Sequence, residues 1–173
     1  MADLAYFLEL FVFILPAYFA NSTPVIFGGG MPVDFGIKLW DGRRLFGDGK
    51  TWRGLVAGFM LGTAAGFVVA AYKANADYFT LAPLLAGGAL LGDLLGSFIK
   101  RRMGMRRGQP SLFMDQLLFL FVALALAFPV LAKPNPPIAL TLEGLVFLVI
   151  LTYVLHVGAN WLANKLGLKK VPW

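Results

Sequence analysis

Two aspartates that interrupt apolar stretches are the strongest candidates for chemistry in this sequence. Asp93 lies inside the apolar run 79–99, and Asp115 lies about one turn into the run 112–131. A carboxylate inside a membrane helix is costly and is a functional candidate by default. The chain has no cysteine and a single histidine, His156, so any metal site must rest on carboxylates, which favour hard cations such as Mg²⁺. Asp93 and Asp115 together therefore predict a magnesium site.

Basic and hydroxyl residues accompany Asp93 on its own helix. Ser97 and Lys100 follow at four and seven residues, which places them on the same helical face. Arg101 comes next. Residue types alone leave two interpretations of Asp93 open, a metal ligand or one half of an ion pair that holds helices together. Asp115 is equally open, because a carboxylate near a helix start also stabilises the helix dipole.

The long polar stretch 22–53 carries basic residues among glycines. Its candidates for phosphate binding are Arg43, Arg44, Lys50, Thr51 and Arg53. Glycine lets backbone N–H groups approach a phosphate, and lysine and arginine supply the countercharge. The fragment Gly49-Lys50-Thr51 is not a P-loop, because Arg44 occupies the position of the first glycine of that motif. A basic loop attracted to anionic lipid is the alternative.

Polar residues in the first and last apolar runs form a third set. His156, Asn160 and Asn164 recur at intervals of four, and Asn21 ends the first run. We expect Asn21 and Asn160 to line the same cavity as the aspartates, whereas the alternative is hydrogen bonding between helices, worth about 0.6 kcal/mol per contact. The predicted substrate-binding residues are Asn21, Arg43, Arg44, Thr51, Arg53, Ser97, Arg101, Gln116 and Asn160.

The elements that must position these residues are membrane helices. The sequence is 59% hydrophobic and 14% charged, against about 45–50% and about 25% in typical soluble domains. A helix needs about 20 mostly apolar residues to span a bilayer. We therefore predict an all-α membrane protein with about five transmembrane helices in a single domain, residues 1–173. The predicted spans are residues 4–20, 54–72, 79–99, 112–131 and 138–163, with loops at 22–53 and 100–111.

The distribution of charge orients these helices. If five spans alternate, every lysine and arginine except Lys73 and Lys133 lies on one side of the membrane. The positive-inside rule then predicts that the N-terminus is outside and that the C-terminus and the long loop are cytoplasmic. The predicted active site consequently lies at the cytoplasmic face. Glycines at intervals of four in the second and third spans, from Gly54 to Gly66 and from Gly88 to Gly96, predict close helix packing.

As a set, these motifs resemble the signature of the CDP-diacylglycerol synthase superfamily. The resemblance rests on Gly92-Asp93-x-x-Gly-Ser97-x-x-Lys100-Arg101, on Asp115-Gln116 and on Gly49-Lys50-Thr51-Trp52-Arg53-Gly54. The short chain, the Asp41-Gly-Arg-Arg44 loop and the C-terminal Val171-Pro-Trp173 are more similar to the archaeal branch, the CDP-archaeol synthases. Arg53 stands where the superfamily has glutamate, and Gln116 stands where it has arginine, so the roles of those groups are not carried over.

The resemblance implies an Mg²⁺-dependent cytidylyltransferase that converts CTP and an isoprenoid glycerol-phosphate lipid into a CDP-lipid and pyrophosphate. It implies that Asp93 and Asp115 bind the metal and that Lys50 and Lys100 join them in catalysis. The alternative is a small membrane transporter or ion-relay subunit that uses Asp93 and His156. The expected partners are CTP, the lipid substrate and membrane lipids, with no nucleic acid, and the expected location is the cell membrane.

Overall fold

The computed structural model describes residues 3–105, 109 and 111–167 of the chain. These residues form helices and no strand longer than an isolated bridge. The helices are α1 (Leu4–Phe27), α2 (Trp52–Lys73), α3 (Asp77–Arg102), α4 (Leu112–Gln116), α5 (Leu118–Leu131) and α6 (Leu142–Lys165). The predicted all-α class is confirmed for this part of the chain. The cations Arg106, Arg107, Lys169 and Lys170 and the motif Val171–Trp173 lie outside the described residues.

Four of these helices, α1, α2, α3 and α6, are long and apolar enough to cross a membrane. The predicted span 112–131 is instead divided into α4 and α5, with Leu117 (φ −119°, ψ −27°) between them. α5 alone is a shorter apolar helix of 14 residues. A fifth crossing would therefore need both pieces, and the total of five spans stays a prediction.

The first helix is longer than the sequence predicted. Residues 22–27, which were predicted to belong to the loop, continue α1 to Phe27. The hydroxyls of Ser22 and Thr23 donate to the carbonyls of Tyr18 and Phe19 one turn earlier, at 2.8 and 2.6 Å. Because these polar groups are satisfied within the helix, they do not end it. The loop between α1 and α2 accordingly spans residues 28–51.

Charged contacts show which helix ends lie together. Lys73 at the end of α2 pairs with Glu9 near the start of α1 at 3.0 Å. Lys133, just after α5, pairs with Asp77 at the start of α3. At the other end of the bundle, the loop 28–51 contacts the last turn of α3, which in turn contacts α4. We call this second end, formed by residues 28–51, 93–102 and 111–116, the basic end.

Glycines bring the helix backbones close at the positions that matter for the basic end. A Cβ atom at Gly62 of α2 would lie 2.7 Å from the carbonyl oxygen of Pro16 in α1. On α3, a Cβ atom at Gly92 would lie 2.6 Å from Cα of Phe119, and one at Gly96 would lie 2.8 Å from the carbonyl oxygen of Met114. The predicted role of the glycines in close packing is confirmed. Because Gly92 and Met114 directly precede the two candidate aspartates, this packing also sets where both carboxylates lie.

The last helix packs more loosely than the others. Leu148 and Thr152 are buried against α1, and the Tyr18 hydroxyl lies 2.8 Å from the Thr152 hydroxyl. Much of the remaining surface of α6 is exposed and apolar, including Ile150 and Val154. Apolar surface of this kind suits contact with lipid chains.

Candidate active site

The first ion pair of the basic end joins the loop to α3. The Lys50 ammonium donates a hydrogen bond to Oδ2 of Asp93 at 2.5 Å. The side chain of Lys50 is 24% exposed and that of Asp93 is 29% exposed, so solvent reaches both partners. An ammonium has three N–H donors and a carboxylate accepts several hydrogen bonds, so each partner keeps capacity for another ligand.

The second ion pair joins α3 to α4. Lys100, in the last turn of α3, donates to Oδ1 of Asp115. Oδ2 of the same carboxylate accepts the backbone N–H of Ser111 at 3.0 Å, which closes the first turn of α4. The side chain of Asp115 is 30% exposed. The two candidate aspartates are thus each held by a lysine, in surroundings that solvent can enter.

The loop presents Lys50 from a fixed point beside α2. Thr51 caps this helix, because its hydroxyl accepts the N–H of Gly54 at 3.2 Å. The same hydroxyl accepts the N–H of Gly29 at 3.2 Å, which joins both ends of the loop. Thr51 is 6% exposed in this position. Its observed contacts are therefore with the protein's own backbone, one residue away from Lys50.

Asp34 is a buried carboxylate in the loop that the sequence reasoning missed. It accepts hydrogen bonds from the Arg44 guanidinium and from the backbone N–H groups of Gly36, Phe46 and Gly47. We call this set the Asp34 cluster. Burial alone would raise the pKa of Asp34, but Arg44 and the three N–H groups outweigh it and hold the pKa well below its usual range. The one signal in the sequence that could have indicated a buried Asp34 is its position between the apolar residues Val33 and Phe35.

The predicted loop arginines contact the protein itself. Arg44 pairs with Asp34 and with Asp48, the latter at 2.7 Å. The guanidinium of Arg43 donates to the carbonyl of Arg102 at 2.8 Å, at the end of α3. Arg102 in turn pairs with Asp41 of the loop at 2.7 Å. Arg43 and Arg102 therefore fasten the loop to α3, whereas the side chain of Arg44 holds the loop together from within.

The two other predicted arginines differ in their exposure to solvent. Arg53 is exposed in the first turn of α2. Arg101 is partly buried near the loop, because a Cβ atom at Gly47 would lie 3.9 Å from its Cδ. The structure therefore brings Lys50, Lys100 and Arg101 to the same end of the bundle and leaves Arg53 at its surface.

Polar residues predicted to bind substrate occupy two places. Ser97 and Gln116 are buried at the basic end, 6% and 7% exposed, and Oε1 of Gln116 accepts no hydrogen bond from the described residues. Asn21 instead lines a cavity of about 240 Å³ between α1, α5 and α6, together with Tyr18 and His156. Asn160 is buried one turn beyond His156 on α6.

A second cavity is separate from the one that Asn21 lines. This groove of about 320 Å³ between α2 and α3 is lined almost entirely by apolar side chains, including Trp52, Leu90 and Leu94. Two of its lining residues are close in sequence to the first ion pair, since Leu94 follows Asp93 and Trp52 lies two residues after Lys50. This groove is therefore an apolar space, whereas the cavity lined by Asn21 also carries polar side chains.

The donor set fits a hard cation only together with a ligand. The described part of the chain holds no cluster of three or more acidic, histidine or cysteine side chains. Asp93 and Asp115 supply carboxylate oxygens that solvent reaches. Mg²⁺ commonly takes one or two carboxylates and completes its shell with phosphate oxygens and water. The two aspartates therefore match the requirements of a metal that arrives with a phosphorylated substrate.

Comparisons with known proteins all find similarity to enzymes of archaeal lipid synthesis. Residues 1–173 match the family model "CarS-like: CDP-archaeol synthase". A curated CDP-archaeol synthase of Pyrococcus horikoshii is 50% identical over 173 residues, with 96% of each chain covered. That of Thermococcus onnurineus is 48% identical, with 99% of each chain covered. A solved structure described as "Structural insight into an intramembrane enzyme for archaeal membrane lipids biosynthesis" is 44% identical and superposes with a TM-score of 0.80, covering 88% of this chain and 93% of that chain.

Proposed function

The chain belongs to the CDP-archaeol synthase family, and we propose that it transfers the cytidylyl group of CTP to an isoprenoid ether-lipid phosphate, in an Mg²⁺-dependent reaction. The proposed lipid is 2,3-bis-O-geranylgeranylglycerol 1-phosphate, and the proposed products are the CDP-lipid and pyrophosphate. Family membership identifies the chain as an enzyme, which removes the support for the alternative of a transporter or ion-relay subunit.

The observation that carries this proposal is the pair of solvent-reachable lysine–aspartate contacts, Lys50 with Asp93 and Lys100 with Asp115. Both substrates are anions, so the site must cancel their mutual repulsion. Each ammonium group is held by a carboxylate and can turn to phosphate oxygens when the nucleotide enters. The carboxylates are then released to bind a cation. Before substrate binds, each lysine thus occupies the position of the cation at its aspartate, and each aspartate occupies the position of a phosphate at its lysine.

Each basic side chain has a proposed role in binding CTP. Lys50 and Lys100 hold the triphosphate and the leaving pyrophosphate, where they offset the charge that develops in the transition state. Arg101 lies at the same end and adds countercharge, and Arg53 approaches from the surface of α2. Arg43 holds the loop against α3, Arg44 holds the loop together, and both add positive potential.

The polar residues have roles suited to neutral parts of the substrates. Oε1 of Gln116 is a buried acceptor next in sequence to Asp115. CTP offers matching donors in its exocyclic amine and ribose hydroxyls, whereas a doubly ionised lipid phosphate offers none. Ser97 and Thr51 lie beside the two ion pairs, and their hydroxyls add further polar contacts. Asn21 and Asn160 are proposed to contact the glycerol region of the lipid.

Asp93 and Asp115 are proposed to hold Mg²⁺, which when bound would neutralise phosphate charge. The protein's own contribution is positioning. The phosphate oxygen of the lipid attacks the α-phosphorus of CTP, the bond from that phosphorus to the bridging oxygen breaks, and pyrophosphate leaves. A phosphate monoester is already largely ionised near neutral pH, so no side chain has to remove a proton. Orientation and electrostatics therefore suffice for catalysis.

The arrangement of charge and apolar surface suits one substrate from water and one from the bilayer. The positive-inside rule assigns the basic end to the cytoplasm, where CTP is dissolved. The lipid's isoprenoid chains need apolar surroundings, which the groove between α2 and α3 offers, and the cavity that Asn21 lines adds polar groups suited to the glycerol region. Its phosphate would then meet CTP at the lysine–aspartate pairs.

A direct assay tests this function. Purified protein is incubated with radiolabelled CTP, Mg²⁺ and the geranylgeranyl lipid phosphate, and the lipid fraction is examined for label. We expect a labelled CDP-lipid and one pyrophosphate released per lipid, and we expect EDTA to stop the reaction. UTP in place of CTP tests base selection. Absence of any CDP-lipid from well-folded protein with all three reactants would reject the proposal.

A further inference from the structure

The Asp34 cluster lies outside the proposed substrate contacts and is nevertheless the most completely satisfied group at the basic end. The Asp34 side chain is fully buried. Its two oxygens accept from two nitrogens of Arg44 and from three backbone N–H groups, at 3.2 Å for Gly36, 3.0 Å for Phe46 and 2.9 Å for Gly47. An ionised carboxylate has about four lone-pair sites. Asp34 therefore has no capacity left for a metal or a substrate.

The donors to Asp34 come from both limbs of the loop that leads to Lys50. Gly36 precedes the turn at Asp41 and Gly42, and Phe46 and Gly47 follow it. The carboxylate therefore holds the two limbs together. Phe35 has a positive φ of 48°, which is unfavourable for a residue with a side chain, and the contacts around Asp34 keep the backbone there.

Two further hydrogen bonds connect this cluster to the backbone of Lys50. Gly47 donates to Asp34, and its carbonyl accepts the N–H of Lys50 at 3.2 Å. On the other side, the carbonyl of Lys50 accepts the N–H of Val33 at 2.8 Å, next to Asp34 in the sequence. Lys50 is therefore fixed from both sides by neighbours of Asp34. Only its side chain extends away, to Asp93.

We propose that Asp34 is a positioning residue for the transfer reaction, which holds the loop so that the Lys50 ammonium lies at Asp93. The inference rests on the proposed function, in which Lys50 binds the triphosphate of CTP. Misplacement of a catalytic group by about 1 Å costs on the order of 100-fold in rate. A loop without its central carboxylate has more conformations available to Lys50, and few of them present the ammonium to the phosphate.

A double-mutant cycle separates positioning from a general loss of structure. Asp34→Asn, Lys50→Met and the double variant are purified, and kcat and KM for CTP are measured on the monodisperse folded fraction. We expect each single change to lower kcat/KM by about 100-fold. The double variant should be no worse than Lys50→Met, because Asp34 acts through Lys50. Losses that multiply to about 10⁴-fold in folded protein would overturn the inference.

Asp48→Asn is the matched control. Asp48 also pairs with Arg44, yet its side chain is 62% exposed. Its removal takes away a charge beside Arg44 and leaves the backbone hydrogen bonds of Asp34 intact, so kcat/KM should stay within about twofold of wild type. A loss equal to that of Asp34→Asn would overturn the inference. If Asp34→Asn does not fold, Arg44→Lys weakens the same cluster with charge retained and should show a smaller loss that is again absent in the Lys50→Met background.

Hydrogen exchange tests the placement of the loop without any activity. In the absence of CTP, residues 46–51 of Asp34→Asn should exchange faster than in wild type and in Asp48→Asn, whereas α2 should not change. Unchanged exchange in residues 46–51 would overturn the inference. If wild-type protein made no CDP-lipid, the proposed function would fail, and this exchange measurement would still decide whether Asp34 orders the segment that carries Lys50.

Discussion

Asp34 and Asp93 are both aspartates held by a basic side chain at the basic end, yet their surroundings are opposite. The side chain of Asp34 is fully buried, and its oxygens accept bonds from Arg44 and three backbone N–H groups. The side chain of Asp93 is 29% exposed and accepts one described hydrogen bond, from Lys50. Asp115 resembles Asp93, with 30% exposure.

The difference separates the structural role of Asp34 from the chemical role proposed for Asp93 and Asp115. A buried carboxylate whose acceptor sites are all filled cannot exchange partners without a large penalty. A carboxylate that is about 30% exposed and paired with a single lysine can exchange that lysine for a metal ion, because water and phosphate replace the lost contact. Residue type alone does not make this distinction, whereas burial and the number of donors do.

The largest expected effect comes from substituting the two partly exposed aspartates, Asp93 and Asp115. Asp93→Asn and Asp115→Asn keep size and shape but remove the charge that would bind Mg²⁺. We expect each to lower CDP-lipid formation by at least about 10³-fold while the folded protein remains monodisperse. Asp77→Asn is the matched control, because Asp77 also pairs with a lysine but lies at the opposite end of the bundle. Full activity in both Asp93→Asn and Asp115→Asn would end the two-aspartate assignment.

The next largest effect is a loss of stability, and it comes from changing the Asp34 cluster. Arg44→Met leaves the buried Asp34 charge without its ionic partner, which typically costs about 3–5 kcal/mol. For a chain of this length, that loss lowers the melting temperature by about 10 °C or more. Thermal unfolding in detergent, followed by tryptophan fluorescence, measures the shift. Asp93→Asn should shift it far less, and equal shifts in the two variants would remove the distinction drawn between the clusters.

A smaller effect is the pH dependence of the same cluster. The pKa of Asp34 is held well below its ordinary value of 3.8 in the folded protein. The stability that Asp34 contributes is therefore complete above that value and is lost as the pH falls below it, because the unfolded chain takes up the proton first. The difference in stability between wild type and Asp34→Asn should narrow by about 1.4 kcal/mol per pH unit below that point. Melting temperatures of both proteins from pH 7 to pH 3 measure it, and a constant difference would contradict the assigned role.

The sequence predicted the helices well because their apolar length and glycine spacing are local signals. The glycines of α2 and α3 were expected to allow close packing, and Gly62 and Gly92 do so. The end of α1 was predicted about two turns too early, since Ser22 and Thr23 bond within the helix. The break at Leu117 has no comparable signal, because it falls between apolar residues.

The sequence indicates the members of the candidate site, whose roles stay predictions, but it does not indicate how they pair. Asp93 and Asp115 are conspicuous as charges within apolar runs. Their partners depend on the path of the loop, which brings Lys50 to Asp93 across 43 residues and leaves Lys100 for Asp115. Asp34 was missed for the same reason, since its burial arises only when two limbs of the loop close around it. Spacing along one helix cannot show such contacts.

The smallest expected effect tests whether location, rather than the lysine–carboxylate pair itself, determines function. Lys73 pairs with Glu9 at 3.0 Å at the opposite end, with side-chain exposures of 22% and 52%. Partly exposed pairs of this kind contribute about 1 kcal/mol or less. Lys73→Met should therefore lower the melting temperature by no more than about 4 °C. CDP-lipid formation should not change, whereas Lys50→Met, the same substitution at the basic end, should lose about 100-fold. An equal loss of activity in Lys73→Met would show that lysine–carboxylate pairs at both ends of the bundle matter equally. That result would contradict the assignment of the active site to the basic end.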